Sequence, residues 1–251
     1  MADSTFVFFQ GNTSTGTTAR LEKFVNVRTV EYFGKVFTVD EFIQHAYDEL
    51  NKIKSRTVLI GSSFGGHLLI YLAYHMITNN TELLNQIEKI VLAGTPPTDG
   101  NDSFPRAFNS PAEIIEDGGR PILELLSVPD VMTEAEATRF FLPTIGGFVA
   151  DEETKRLVEE NIRNLTTNAL MGKTRHDIIS TFQREPTELE MIKAISKRIP
   201  VLLVHAELDP VINLDYVKEV SAITGIPVRV IKNAPHYSHW THPEEFLRSL
   251  N

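Results

Sequence analysis

The chain has 251 residues, a formal net charge of −9 and 42% hydrophobic residues, enough apolar material for a sizeable core. That charge, without any basic run or stripe, argues against nucleic acid as a partner. There are no cysteines, which excludes disulfides, thiolate metal sites and a cysteine nucleophile.

The apolar run at residues 6–9 is too short for a signal peptide and has no basic stretch before it. No window approaches the roughly 18 apolar residues of a membrane span, so a cytoplasmic protein with no membrane partner is expected. Residues 6–9 read as a buried strand entering the polar loop Gln10-Gly11-Asn12-Thr13-Ser14. A short helix is expected over 15–26 and a second strand over 27–33, closed by Gly34. Phe42, Ile43, Ala46, Leu50 and Ile53 recur at helical spacing, which predicts an amphipathic helix over 40–54. Residues 57–60 form the next strand. They meet Gly61-Ser62-Ser63-Phe64-Gly65, and an apolar helix follows to about Thr78. A small helix at 81–88 precedes a strand at 89–93 that ends in Gly94-Thr95-Pro96-Pro97.

Strand and helix alternate through this half, and the strands are continuous apolar runs, as in parallel sheets covered on both faces. The rhythm breaks over residues 98–197, where helical segments are interrupted by Pro and Gly. Thr133 with Glu136, and Thr187 with Glu190, read as capping boxes. Leu157, Val158, Ile162 and Leu165 mark a helix over 154–170. Strands resume at 200–204 and 227–232, with a helix over 215–224 between them and a final helix opened by Thr241-His242-Pro243. The organisation expected is an α/β core of residues 1–97 and 198–251, with a helical cap of residues 98–197 inserted after the fourth strand.

Open parallel sheets carry their functional groups in loops at the carboxyl ends of the strands. Ser63 sits at the apex of a strand–turn–helix with the spacing G-x-S-x-G, which projects its hydroxyl from the sheet. Serine is a poor nucleophile without a base. His236, after the last strand, is placed to take the proton, and Asp209, after the preceding strand, to orient the imidazole. The rival acids are Glu207 and Asp99. His239 and His242 complete a His-x-x-His-x-x-His run with His236, but a metal site would need a further ligand, so no metal is expected. His242 reads as a helix-cap residue and His239 as a wall or surface residue. His67 and His75 read as packing or exposed residues, and His205 as structural. The oxyanion donors expected are the Phe64 N–H and a backbone N–H at Asn12, with Thr13 next. The Asn12 side chain, Phe140 and Phe141 are candidate substrate contacts. Phe104, Phe108, Leu142 and Phe148 line the pocket or form the cap's own core, and Gly146-Gly147 is a hinge or a turn.

Residues 1–97 and 198–251 resemble an α/β-hydrolase: the elbow pentad is present, and the order Ser63, Asp209, His236 is that family's order. The family's usual His-Gly at the oxyanion loop is here Gln10-Gly11, and the two antiparallel strands that usually come first are missing. Gln10-Gly11-Asn12-Thr13-Ser14 is similar to the His-Gly-Asn-Ser-Ser loop of the N-acyl-homoserine lactonases of this fold. Gly94-Thr95-Pro96-Pro97 and the run from Asn213 to Val220 resemble theirs too. The resemblance implies a mostly parallel sheet of about six strands flanked by helices. It also implies a cofactor-free serine hydrolase acting on a small-molecule ester or lactone, as a monomer or homodimer. A ligand-binding sensor on the same fold, a C–C bond hydrolase and a cofactor-free peroxidase are the alternatives, since fold does not fix function.

Overall fold

The computed structural model describes residues 4–11, 18–99, 105–109, 131–146, 151–182 and 185–251. The apolar runs form β1 (Thr5–Phe9), β2 (Val27–Val30), β3 (Thr57–Ser62), β4 (Ile87–Ala93), β5 (Val201–Ala206) and β6 (Val228–Ile231). They make one sheet in the order β2-β1-β3-β4-β5-β6, and every adjacent pair is parallel. The expectation of about six mostly parallel strands flanked by helices holds.

Alternation within each run divides the core. Val7, Phe9, Leu59, Ile90, Leu92 and Leu203 face one layer of helices, while Phe6, Phe8, Val58, Ile60, Val91 and Val204 face the other. The first layer holds α1 (Val39–Leu50), α2 (Phe64–Thr78), α6 (Glu188–Ser196) and α7 (Leu214–Thr224). Phe246 and Leu250, from the end of the chain, pack against the second face with Leu21. Between β4 and β5 the described residues also form α3 (Glu134–Thr144), α4 (Glu152–Thr167) and α5 (Ala169–Ser180). Met132, Ala137, Phe141, Leu157 and Leu165 from this stretch make a third cluster with Tyr237 and Trp240.

Local chemistry fixes the helix starts. Thr38 caps α1 by accepting from the Glu41 N–H, and both expected capping boxes form, at α3 and α6. Asn213 caps α7, which ends at Gly225 in the left-handed region (φ 72°). Expected elements differ in places. The second strand stops at Val30, because Tyr32 turns inward and its hydroxyl donates to Gln10 O at 2.5 Å. Of the helix expected over 15–26, the described part holds only a 3-10 turn, Leu21–Lys23. The expected final helix forms as α9 (Pro243–Ser249), with Pro243 in its first turn, and a one-turn helix outside the expectation, α8 (Ser238–Thr241), precedes it. Pro243 holds His242 out of the helical region (φ −132°, ψ 57°).

Candidate active site

Five strand ends meet at one edge of the sheet. Ser63 occupies the turn from β3 into α2 with φ 51° and ψ −123°. A residue with a side chain held in such a region costs on the order of 1–3 kcal/mol, and it persists only when its surroundings dictate it. Here they do. The Ser63 N–H donates to Ala93 O at 2.9 Å, and its C=O accepts from the Gly66 N–H at 2.9 Å and from Thr95 Oγ1 at 2.8 Å. The turn also presses against β1: a Cβ on Gly65 would lie 2.3 Å from the carbonyl oxygens of Phe9 and Gln10. Only glycine fits there.

The start of the loop after β1, Gln10-Gly11, lies against the serine. A Cβ on Gly11 would stand 3.0 Å from Ser63 Cβ and 3.7 Å from Ser63 Oγ. Tyr32 anchors this loop through Gln10 O. Burial above all, with Glu31 beside it, pushes the Tyr32 hydroxyl well above its ordinary pKa, so it remains a donor. Phe64, the first residue of α2, has one of the backbone N–H groups that a helix start leaves without an intrahelical acceptor. Its ring stacks against Phe33 and Phe182.

Asp209 follows β5 and His236 follows β6, and both are buried (6% and 5% exposed). His236 Nδ1 lies 2.6 Å from Asp209 Oδ2. The other carboxylate oxygen, Oδ1, accepts from the Val211 and Ile212 N–H groups at 2.8 and 2.9 Å. Asn109 braces the same loop, donating to the carbonyls of Asp209 and Ile212 at 2.7 and 3.0 Å. Burial pushes the Asp209 carboxyl up, but the charge and hydrogen bond of His236, with His205 and the Ile212 N–H, outweigh it. The carboxyl is held below its ordinary range. Asp209 as an anion requires His236 to carry its hydrogen on Nδ1, which leaves Nε2 as the basic nitrogen.

The end of β4 joins the two halves. Gly94 is in the left-handed region (φ 57°), and a Cβ there would meet His236 Cε1 at 2.9 Å and Nδ1 at 3.1 Å. Its neighbours Ala93 and Thr95 are the residues that hold the Ser63 backbone. Ser63, Gly11, Asp209 and His236 are thus gathered at one edge of the sheet.

The other candidates are placed differently. Asn12, Thr13, Phe104 and Phe148 lie outside the described residues, as does the Phe140 side chain. Phe141 is fully buried and packs on Tyr237 and Trp240. Of the rival acids, Glu207 accepts from the Asn233 N–H at 2.9 Å and Asp99 is exposed. His239 is a correction. Expected in a wall or at the surface, it is 0% exposed, between Phe8, Tyr237 and Phe246. Burial pushes its imidazole down to about 3. His242 stands at the N-cap of α9 without a side-chain capping bond, its Nδ1 2.9 Å from Thr241 Oγ1. His205 is buried behind the acid, Nε2 3.9 Å from Asp209 Oδ2, and burial lowers its pKa against the pull of Asp209. His67 Nδ1 pairs with Glu188 at 2.8 Å. Among the described residues no group of three or more histidines and carboxylates is gathered as a metal site. No helix among them is long and apolar enough to cross a membrane.

Comparison with known proteins gives a consistent result. The model of the Alpha/beta hydrolase family matches residues 17–249. A search of curated proteins finds no match. Among solved structures, the E219G mutant of the N-acyl homoserine lactonase AidH complexed with N-hexanoyl homoserine is similar with a TM-score of 0.71 and 18% identity, covering 99% of this chain and 87% of that one. A bromoperoxidase from Bacillus anthracis gives 0.68 and 19%, covering 100% and 91%. The carboxylesterase CesB (YbfK) from Bacillus subtilis gives 0.66 and 15%, covering 99% and 82%. At these identities the likeness is one of fold.

Proposed function

The chain belongs to the alpha/beta hydrolase family, and from that premise we propose that it is a serine hydrolase cleaving a carboxylic ester or lactone of a small molecule. The observation that carries this reading is the buried His236–Asp209 hydrogen bond (2.6 Å), set against the same strand end that holds Ser63 in its strained turn. In this reading Ser63 Oγ attacks the substrate carbonyl carbon and passes its proton to His236 Nε2. The displaced carbonyl electron pair is met by the Phe64 N–H and a donor at Asn12. Losing one such donor typically costs about 10²–10³ in rate. Collapse of the tetrahedral species expels the alkoxide, which takes the proton from His236. Water, activated by the same imidazole, then releases the acid and restores Ser63. A lactone gives an open hydroxy acid in this sequence. Asp209 keeps its charge throughout and stabilises the imidazolium. No step calls on a cofactor. The lactonase and esterase among the similar structures support this substrate class.

Proton release at constant pH over aryl esters and N-acyl homoserine lactones of graded chain length tests the proposal. Wild type should release acid from at least one series, and Ser63→Ala should lower kcat by at least about 10⁴-fold while staying folded. Turnover by folded Ser63→Ala at the wild-type rate would overturn it.

A further inference from the structure

The run Gly94-Thr95-Pro96-Pro97 has no chemical role in the reaction proposed above, yet it touches both halves of the site. Thr95 is 2% exposed. Its Oγ1 lies 2.8 Å from Ser63 O and 3.3 Å from Ala93 O, and its single hydrogen is better used on the nearer carbonyl. The side chain fills the space a larger residue at 66 would need: a Cβ on Gly66 would lie 2.1 Å from Thr95 Oγ1 and 2.6 Å from Thr95 Cβ. Ser63 cannot relax toward a common backbone conformation while Ala93 O holds its N–H and Thr95 Oγ1 holds its C=O. The residue between these two anchors is Gly94, whose backbone abuts the His236 ring.

We propose that Thr95 is a positioning residue: its hydroxyl, seated in the Gly66 notch, holds the strained Ser63 backbone so that the nucleophile meets His236. The proposal rests on Ser63 being the nucleophile. The bonds of the Thr95 hydroxyl go to the backbone carbonyls of Ser63 and Ala93, so it acts on the reaction through the placement of Ser63. Misplacement of a reacting group by about 1 Å can cost 10²-fold in rate.

The test compares Thr95→Val, which keeps the shape and loses the hydroxyl, with Thr95→Ser, which keeps the hydroxyl and loses the methyl. Each is measured for thermal midpoint, for kcat and KM on the best ester, and for the rate of covalent labelling of Ser63 by a fluorophosphonate. Thr95→Val should lower kcat and the labelling rate roughly 10–10²-fold with KM within about twofold. Thr95→Ser should recover both rates to within about threefold of wild type even where its midpoint is lower. Folded Thr95→Val reacting at the wild-type rate would overturn the proposal, as would Thr95→Ser losing as much rate as Thr95→Val. Should Thr95→Val not fold, Thr95→Ser decides alone: near-wild-type labelling supports the hydroxyl's role, and a loss above tenfold overturns it. Wild type that resists labelling at Ser63 overturns the serine-hydrolase reading and this proposal with it, whereas labelled wild type beside an unaffected Thr95→Val removes only the second.

Discussion

Two of the histidine–carboxylate pairs among the described residues, one buried (Asp209–His236) and one part-buried (Glu188–His67), are built differently. In Asp209–His236 the carboxylate divides its oxygens, one for the imidazole at 2.6 Å and the other for two backbone N–H groups of its own loop. In Glu188–His67 both oxygens lie within 3.0 Å of the same ring nitrogen. Glu188 Oε2 also accepts from the Thr98 N–H and hydroxyl at 3.0 and 3.1 Å. The first pair bridges adjacent strand ends, so a rigid loop dictates the orientation of the ring. The second ties α2, α6 and the chain beyond β4 together, a clamp across 121 residues of sequence. A histidine beside an acid is therefore not in itself a sign of catalysis. What the other carboxylate oxygen holds, and whether a serine in a strained turn shares the strand edge, separates the two.

The largest effect is expected from Asp209→Asn. It keeps the shape and removes the charge, so kcat should fall by about 10⁴-fold with the far-UV spectrum and thermal midpoint little changed. Glu188→Gln should do the reverse: kcat within about threefold of wild type, and stability in urea lower by roughly 1–3 kcal/mol, the cost of leaving buried hydrogen-bonding groups poorly matched. If Glu188→Gln instead removed activity without loss of stability, the division between a reacting pair and a clamp would fail.

A histidine with no acid sharpens the contrast. His239 has an ordinary value of 6.5, lowered by burial to about 3. Between those values the unfolded chain binds a proton that the folded one does not, so stability falls as pH drops below about 6.5, by roughly 1.4 kcal/mol per unit. Asp209 acts in a lower window. Its folded value lies below the ordinary 3.8, so its contribution is complete above that value and is lost only as pH falls through the folded one. His239→Leu should accordingly flatten the decline in urea midpoint between pH 6 and pH 4. An unchanged slope would assign the acid sensitivity to other groups.

Much of this arrangement is legible in the residues themselves. The unbroken apolar runs announce buried parallel strands, and the pentad around Ser63 announces a sharp turn because its glycines are needed where chains touch. Capping boxes at Thr133 and Thr187 are written within four residues, and both form. What local pattern does not carry is contact across the sheet. His239 is enclosed by Phe8 from β1 and Phe246 from α9, elements far from it in sequence, so its own neighbourhood reads as surface. The His67–Glu188 clamp is hidden for the same reason. Thr95 is within reach: a small polar residue after the glycine that follows β4, facing a turn with glycines at 65 and 66. Its partner is the serine's carbonyl, which no side-chain pattern reveals.

The strand order also has a consequence for how the chain is made. β4, whose end supplies both anchors for Ser63, pairs with β3 on one side and β5 on the other. β5 begins at Val201, about a hundred residues after β4 ends at Ala93. At 5–20 residues per second of synthesis, that interval lasts about 5–20 s. For that time Ile90–Ala93 lacks the β5 neighbour it has in the finished sheet, and an unpaired apolar edge invites pairing with other strands. The strand end that holds the Ser63 backbone is therefore paired late on the ribosome, and the yield of folded protein should depend on how fast the ribosome crosses residues 94–200.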